Sequence, residues 1–295
     1  MLTRRQFEVL SRSAAGASVS QRALAAAAGT SLGTVNKTIH ELIQAGLWEN
    51  GGPTAAGLEA LEPYRVRRAV FLAAGFGSRL VPITLNTPKP LVRVHGKRLI
   101  DTMLDAVLAA GIQEIYIVRG YLAEQFDQLL YDYPMVKFLE NPLYNQSNNI
   151  SSFLAAGELV RNAYVMEADL LVQEPSVIQP YQHQSNYLGY YTPRTDDWIF
   201  TAKRGIITGM AQGGVDGWHT CGVSYWTDAD GALLAKYGRE LWAQPGGRER
   251  YYDHIALDDY KTAFQVAIRP CSEDAIIEID TFEELKALDK AYAVR

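Results

Sequence analysis

From Arg68 the chain reads Arg-Ala-Val-Phe-Leu-Ala-Ala-Gly75, an apolar run of strand length stopped by glycine, and the same pattern then recurs downstream. Apolar runs at 69–72, 114–118, 136–139 and 163–167 read as buried strands, and helical periodicity fills the gaps at 99–110, 123–130 and 150–159. Strand and helix in alternation predict an α/β fold: a Rossmann-like, mostly parallel mixed sheet flanked by helices. Ligands of such sheets bind beyond the carboxyl ends of the strands. Chemistry is therefore expected in residues 73–79, 119–121, 140–149 and 168–170.

The first 64 residues follow a different pattern and are expected to form a separate small α+β module, residues 1–64, ahead of the main domain, residues 65–295. Apolar positions at helical spacing predict three short helices. Ser20 and Ser31 are placed to cap the second and third, Gly29-Thr30 makes the turn between them, and Gly46 stops the third. Asn50-Gly51 then suits a tight hairpin. In this order the elements resemble the bacterial winged helix-turn-helix regulators, whose third helix enters the DNA major groove. Here Ser31, Thr34, Asn36, Lys37 and Thr38 would be its exposed residues. The module carries five Lys or Arg and five Asp or Glu, so it lacks the basic footprint of a DNA binder. A role in dimerisation or in docking on the main domain competes with DNA contact.

The most informative run is Leu72-Ala-Ala-Gly-Phe-Gly-Ser-Arg79, followed ten residues after the arginine by Lys89 of Pro-Lys. A glycine-rich turn after a buried strand exposes backbone N–H groups suited to phosphate. Leu80 stands where a dinucleotide fingerprint needs its third glycine, and no Gly-Lys-Ser/Thr of a P-loop is present. What remains is an arginine able to clamp a polyphosphate and a lysine able to neutralise charge on phosphorus. Two carboxylates close apolar strand patterns, Asp169 after Val165-Met-Glu-Ala and Asp280 after Ile276-Ile-Glu-Ile.

This set resembles the nucleotidyltransferase superfamily. More narrowly, Gly120-Tyr-Leu-Ala-Glu-Gln-Phe126, Asn148-Asn-Ile-Ser-Ser152, Glu167-Ala-Asp169, Asp197-Trp198, Gly222-Val-Ser-Tyr-Trp226, Tyr252-Asp253 and Glu278-Ile-Asp280 are similar to LicC-type CTP:phosphocholine cytidylyltransferases over residues 68–292. The resemblance implies Mg²⁺ held by Asp169 and Asp280, and catalysis by Lys89 and Arg79. It places CTP against Leu72, Ala73, Ala74, Gly75, Gly77, Ser78, Arg79, Gly120, Tyr121, Asn148 and Ala168. The acceptor, a small cationic phospho-alcohol or aminophosphonate, falls to Asp197, Trp198, Tyr190, Tyr252 and Asp253. The aromatic density favours phosphocholine, giving CDP-choline and pyrophosphate, because ring faces hold quaternary ammonium groups. The alternative acceptor is 2-aminoethylphosphonate. A DNA-binding regulator with a nucleotide-sensing domain is the competing class, and intact Arg79, Lys89, Asp169 and Asp280 argue against it.

With 48% hydrophobic and 21% charged residues the chain has the composition of a well-cored globular protein. No stretch approaches the roughly 18 consecutive apolar residues of a membrane helix, and the start lacks the apolar core of a secretion signal, so a cytoplasmic protein is expected. Its two cysteines suit neither a disulfide scaffold nor structural zinc.

Overall fold

The computed structural model describes residues 1–14 and 20–293, which fall into two compact units. The first comprises Met1–Arg65 with Tyr181–His183. Helices α1 (Arg4–Ser13), α2 (Gln21–Ala27) and α3 (Leu32–Gln44) precede a hairpin of β1 (Trp48–Glu49) and β2 (Gly52–Pro53), then a short α4 (Ala55–Glu59). Ser20 accepts a hydrogen bond from the Ala23 N–H and Ser31 from the Thr34 N–H, as N-caps do. Asn50 and Gly51 both adopt positive φ, the backbone a two-residue hairpin turn requires. Phe7, Leu10, Leu24, Val35, Ile39, Leu42 and Trp48 form the core. Thr38, expected on the exposed face of α3, is instead buried. It stands on the same stripe as Val35, Ile39 and Leu42, and its hydroxyl donates to the Thr34 carbonyl at 2.9 Å. Tyr181 joins this core, and His183 stacks on Tyr64.

In the second unit, Val66–Pro180 with Gln184–Arg295, the elements run β3 (Arg68–Leu72), β4 (Arg93–Val94), β5 (Lys97–Arg98), α5 (Leu99–Ala109), β6 (Glu114–Arg119), α6 (Leu129–Asp132), β7 (Val136–Glu140) and α7 (Ile150–Ala156). They continue through β8 (Ala163–Glu167), β9 (Leu170–Val172), β10 (Asn186–Lys203), β11 (Ile206–Trp226), α8 (Asp228–Trp242), β12 (Ala267–Pro270), β13 (Ile276–Glu278) and α9 (Phe282–Leu288). Seven strands form one sheet in the order β10-β12-β11-β8-β3-β6-β7. The pairs β8–β3, β3–β6 and β6–β7 are parallel, and β11 joins β8 antiparallel, so the sheet is mixed with a parallel half.

Alternation along β3 explains the layering. Ala69 and Phe71 face one core with Ile100, Met103 and Val107 of α5, while Val70 and Leu72 face the other with Ile150 and Phe153 of α7 and Leu234 of α8. The periodicity read at 123–130 becomes a 3₁₀ turn over Ala123–Gln128 that feeds α6, and the helix read to 159 stops at Gly157, which takes φ +54°. The long β10–β11 hairpin has no counterpart in the sequence reading. Among the described residues no helix is long and apolar enough to cross a membrane.

Candidate active site

At the carboxyl end of β3 the chain turns through Ala73, Ala74 and Gly75, and the turn forms one wall of a cavity of about 380 Å³. Gly77 holds φ +61°, and a Cβ there would stand 2.9 Å from the Lys89 Cβ. Only glycine therefore lets the loop lie against the lysine stem. Lys89 is 7% exposed, and its Nζ donates to Asp169 Oδ2 at 2.7 Å and to Asp280 Oδ1 at 3.0 Å. Burial alone would lower the pKa of this ammonium, but attraction to the two carboxylates outweighs it and leaves the pKa raised. Arg79, more exposed, donates to the same Asp280 oxygen at 2.7 Å.

Asp169 and Asp280 thus meet at one lysine although 111 residues separate them in sequence. Beside them stand Glu167 and Glu278, each two residues earlier, and carboxylate oxygens of Glu167, Asp169 and Glu278 lie within 4.8 Å of one another. Burial, and then the charges of Asp169 and Asp280, push Glu278 up to about 9. Burial and the charge of Asp169 likewise hold Glu167 well above the ordinary carboxylate range. Asp169 Oδ1 is buried with no hydrogen-bond partner. An orphaned carboxylate oxygen beside two crowded carboxyls is the donor set a divalent cation completes, so the residues present fit Mg²⁺. Asp280 differs from the other three, since its Oδ1 serves both Arg79 and Lys89. Sequence reasoning named the two aspartates and passed over the glutamates. The signal was there, because a glutamate closes each apolar strand run two residues before its aspartate, at the sheet edge where ligands bind.

All the residues expected to hold the nucleotide line the large cavity except Gly120 and Tyr121. Those two lie behind it. The Tyr121 N–H donates to the Ala74 carbonyl at 3.1 Å and its hydroxyl to the Thr84 carbonyl at 2.9 Å, while Tyr144 lies so close on Gly120 that a Cβ there would come within 2.7 Å of its ring. They brace the loop, and the lining falls to Phe76 and Tyr144, whose rings meet at 5.3 Å, with Ser147, Asn149, Ser151 and Ser152.

A smaller recess of about 60 Å³ shares Glu167 with this cavity. The structure brings Asp197, Trp198 and Asp253 together there, with Glu278, Phe200, Met210, Thr220, Tyr251 and His254. A register shift between Thr195 and Trp198 in β10 lets Asp197 and Trp198, neighbours in sequence, both reach one recess. Trp198, Tyr251 and His254 meet edge to face at 5.6–5.8 Å. Asp253 is raised to about 6 by burial, against the pull of the Tyr187 and Tyr252 hydroxyls. His254 is lowered, by burial first and by Arg250 second.

Tyr252 and Tyr190 are not in this recess. Tyr252 is 1% exposed, packs parallel to Phe153 in the core, and has its hydroxyl 3.2 Å from Ser224 Oγ. Its neighbour Tyr251 takes the place expected for it. Tyr190 stacks on His219 at 4.8 Å on the wall of a separate acidic cavity that also includes Asp197 and Glu278.

A glycine-rich loop after a parallel strand, a buried lysine between two aspartates and a crowded carboxylate set define an α/β enzyme that handles a nucleoside triphosphate. The Nucleotidyl transferase family model matches residues 68–182. The chain is 34% identical over 228 residues to the 2-aminoethylphosphonate cytidylyltransferase of Lancefieldella rimae, an alignment covering 76% of this chain and 92% of that protein. It is 29% identical to the choline-phosphate cytidylyltransferase of Streptococcus pneumoniae, over 76% of this chain and 97% of that one. The solved structure of CTP:phosphocholine cytidylyltransferase from Streptococcus pneumoniae superposes with a TM-score of 0.71 at 28% identity, over 77% of this chain and 99% of that chain. The chain belongs to the nucleotidyl transferase family, and within it is a cytidylyltransferase.

Proposed function

We propose that the enzyme joins the cytidylyl group of CTP to a small acceptor bearing a phosphonate at one end and a primary ammonium at the other, 2-aminoethylphosphonate being the best fit. The observation that carries this reading is the acceptor recess: Asp197 and Asp253 line it beside Glu167 and Glu278 of the metal set, with no Lys or Arg among the described lining residues. A primary ammonium donates three hydrogen bonds to such oxygens. A trimethylammonium donates none, so the second oxygens of Asp197 and Asp253 would gain no hydrogen bond from it; their first oxygens already accept from the Trp198 N–H and the Tyr187 hydroxyl. Tyr190 and Tyr252 lie outside the recess, which leaves fewer ring faces there than the phosphocholine expectation counted on, and the relative at 34% identity acts on 2-aminoethylphosphonate by its name. Phosphocholine remains the second reading, supported by the three-ring corner of Trp198, Tyr251 and His254.

In the proposed reaction an acceptor oxygen attacks the α-phosphorus of CTP, the bond from that phosphorus to the β-phosphate oxygen breaks, and pyrophosphate leaves. The acceptor oxygen is already ionised near neutral pH, so the protein has no proton to remove. Lys89 holds positive charge beside the reacting phosphate, and Arg79 closes on the phosphates from the cavity mouth. Mg²⁺, held by Asp169 with Glu167, Glu278 and Asp280 around it, would neutralise charge on the phosphate oxygens. Pyrophosphate release measured with CTP and Mg²⁺ against 2-aminoethylphosphonate, phosphoethanolamine and phosphocholine tests the assignment. A higher kcat/KM for phosphocholine than for 2-aminoethylphosphonate would overturn it.

We read residues 1–64 as a winged helix-turn-helix whose role is other than DNA binding, on the strength of its element order and its equal counts of basic and acidic residues. Specific DNA binding by the full-length protein at physiological salt would refute this.

A further inference from the structure

Asn141, the residue after β7, is 3% exposed and sits behind the large cavity. Its amide orientation is fixed, because the Leu143 N–H donates to Asn141 Oδ1 at 2.9 Å and a backbone N–H can only donate. The Asn141 amide nitrogen must therefore face the other way. There it donates to Ser151 Oγ at 2.9 Å and to Ser152 Oγ at 3.0 Å, one hydrogen to each. Both serine hydroxyls are thereby fixed as acceptors toward Asn141, and each must send its own proton elsewhere. Ser151 donates to the Asn148 carbonyl at 3.3 Å. Ser152 lines the cavity, and its proton has no protein acceptor among the described residues.

The lining divides by charge. Arg79, Lys89, Asp169 and Asp280 suit phosphate and metal, whereas Tyr144, Ser147, Asn148, Ser151 and Ser152 carry no charge and belong to one stretch of chain. The rings of Tyr144 and Phe76, 5.3 Å apart, offer faces on which a base can stack. A nucleobase beside them meets a hydroxyl that has one lone pair taken by Asn141 and a proton that no described protein group accepts, so donating to the base is its satisfied state. Cytosine presents an unprotonated N3, an acceptor, at the edge where uracil presents N3–H, a donor.

Resting on the cytidylyl reading above, we infer that Ser152 reads the base by donating to cytosine N3, and that Asn141 is the positioning residue that favours this direction. Facing uracil N3–H, Ser152 either opposes donor to donor or turns to accept and leaves its own proton without an acceptor, and that cost is the discrimination. Reversing Asn141 reverses the code. In Asn141→Asp an ionised carboxylate accepts from the Leu143 N–H and from both serine hydroxyls, so Ser152 turns its proton inward and offers uracil a lone pair.

The test compares kcat/KM for CTP and for UTP, from pyrophosphate release at about pH 8, where a carboxylate is ionised. Wild type, Asn141→Asp and Ser152→Ala are measured with one acceptor, and thermal transitions report folding. Both variants are expected to lower the CTP/UTP ratio by about tenfold or more, the scale of one mismatched buried hydrogen bond. A merely structural role would lower both nucleotides together and leave the ratio in place. A smaller fall in a folded variant overturns the inference, as it would if Ser152 faced the ribose. Should Asn141→Asp fail to fold, Ser152→Ala decides alone. A wild-type enzyme that does not prefer CTP over UTP would overturn the cytidylyl reading with this one, whereas preference retained in the variants overturns only this one.

Discussion

Replacing Lys89 by Met probes chemistry and stability together, because the proposed reaction gives a part in turnover to a lysine that also bridges two aspartates. Its Nζ lies within 3.0 Å of two carboxylates, and its side chain is 9% exposed against 23% for Asp169 and 17% for Asp280. A unit charge about 4 Å from a phosphate oxygen, at an effective dielectric near 20, contributes about 4 kcal/mol of attraction. Only the part that grows as charge shifts toward the leaving pyrophosphate lowers the barrier. Turnover should fall at least about 100-fold, equivalent to about 2.7 kcal/mol. Folding pays as well, since Met leaves two carboxylates without their ammonium. Breaking a buried pair costs about 3–5 kcal/mol, and the partial exposure of both aspartates reduces this to about 2–3 kcal/mol. A domain of this size loses about 2–4 °C per kcal/mol, so a fall of about 5–10 °C is expected in a chelator-treated sample. The assays are pyrophosphate release under saturating CTP and acceptor, and a thermal scan of the same preparation. Near-wild-type turnover from a folded variant would remove Lys89 from the mechanism, and an unshifted transition would show that the aspartates find other partners.

Asp169→Asn should abolish the response of turnover to added Mg²⁺, because the unpartnered Oδ1 is replaced or turned away, and a normal Mg²⁺ titration would refute its role as ligand. Asp253→Asn should raise KM for 2-aminoethylphosphonate about tenfold with little change in KM for CTP, while Trp198→Ala does less; the reverse ranking would return the acceptor to phosphocholine. Deleting residues 1–64 should leave kcat/KM within about threefold, since the residues lining both proposed substrate sites begin at Leu72. The same deletion strips Tyr181 and His183 of Phe7 and Tyr64, so a lower thermal transition is expected, and lost turnover in a folded fragment would contradict the separation.

What the sequence made legible divides along the range of the interactions involved. The loop from Leu72 to Arg79 and its spacing to Lys89 are local, and every constraint on them, a positive φ at Gly77 included, is written within 18 residues. The parallel half of the sheet was equally readable, because strands buried on both faces are continuous apolar runs. The proposed acceptor recess was not. Its walls come from β8, β10, β11, β13 and the irregular segment before Ile255, and no spacing rule links those stretches. Side-chain parity fails there too. The register shift in β10 turns Asp197 and Trp198 to one side, where a regular strand would divide them. Between Gly247 and Ile255 the chain leaves a 3₁₀ turn and enters a π-helical one, so neither a period of 2 nor one of 3.6 decides which of Tyr251 and Tyr252 faces the ligand. The Asn149 Oδ1 decides it, by accepting the Tyr252 N–H at 2.9 Å and so seating Tyr252 over Phe153 in the core, which leaves Tyr251 at the recess. Asn149 belongs to the same Asn148-Asn-Ile-Ser-Ser152 run that lines the cavity proposed for the nucleotide, so a single substitution such as Asn149→Ala should disturb both substrates at once. Its KM for the acceptor and for CTP should rise together, and a change confined to CTP would show that the 251–254 segment holds its place without it.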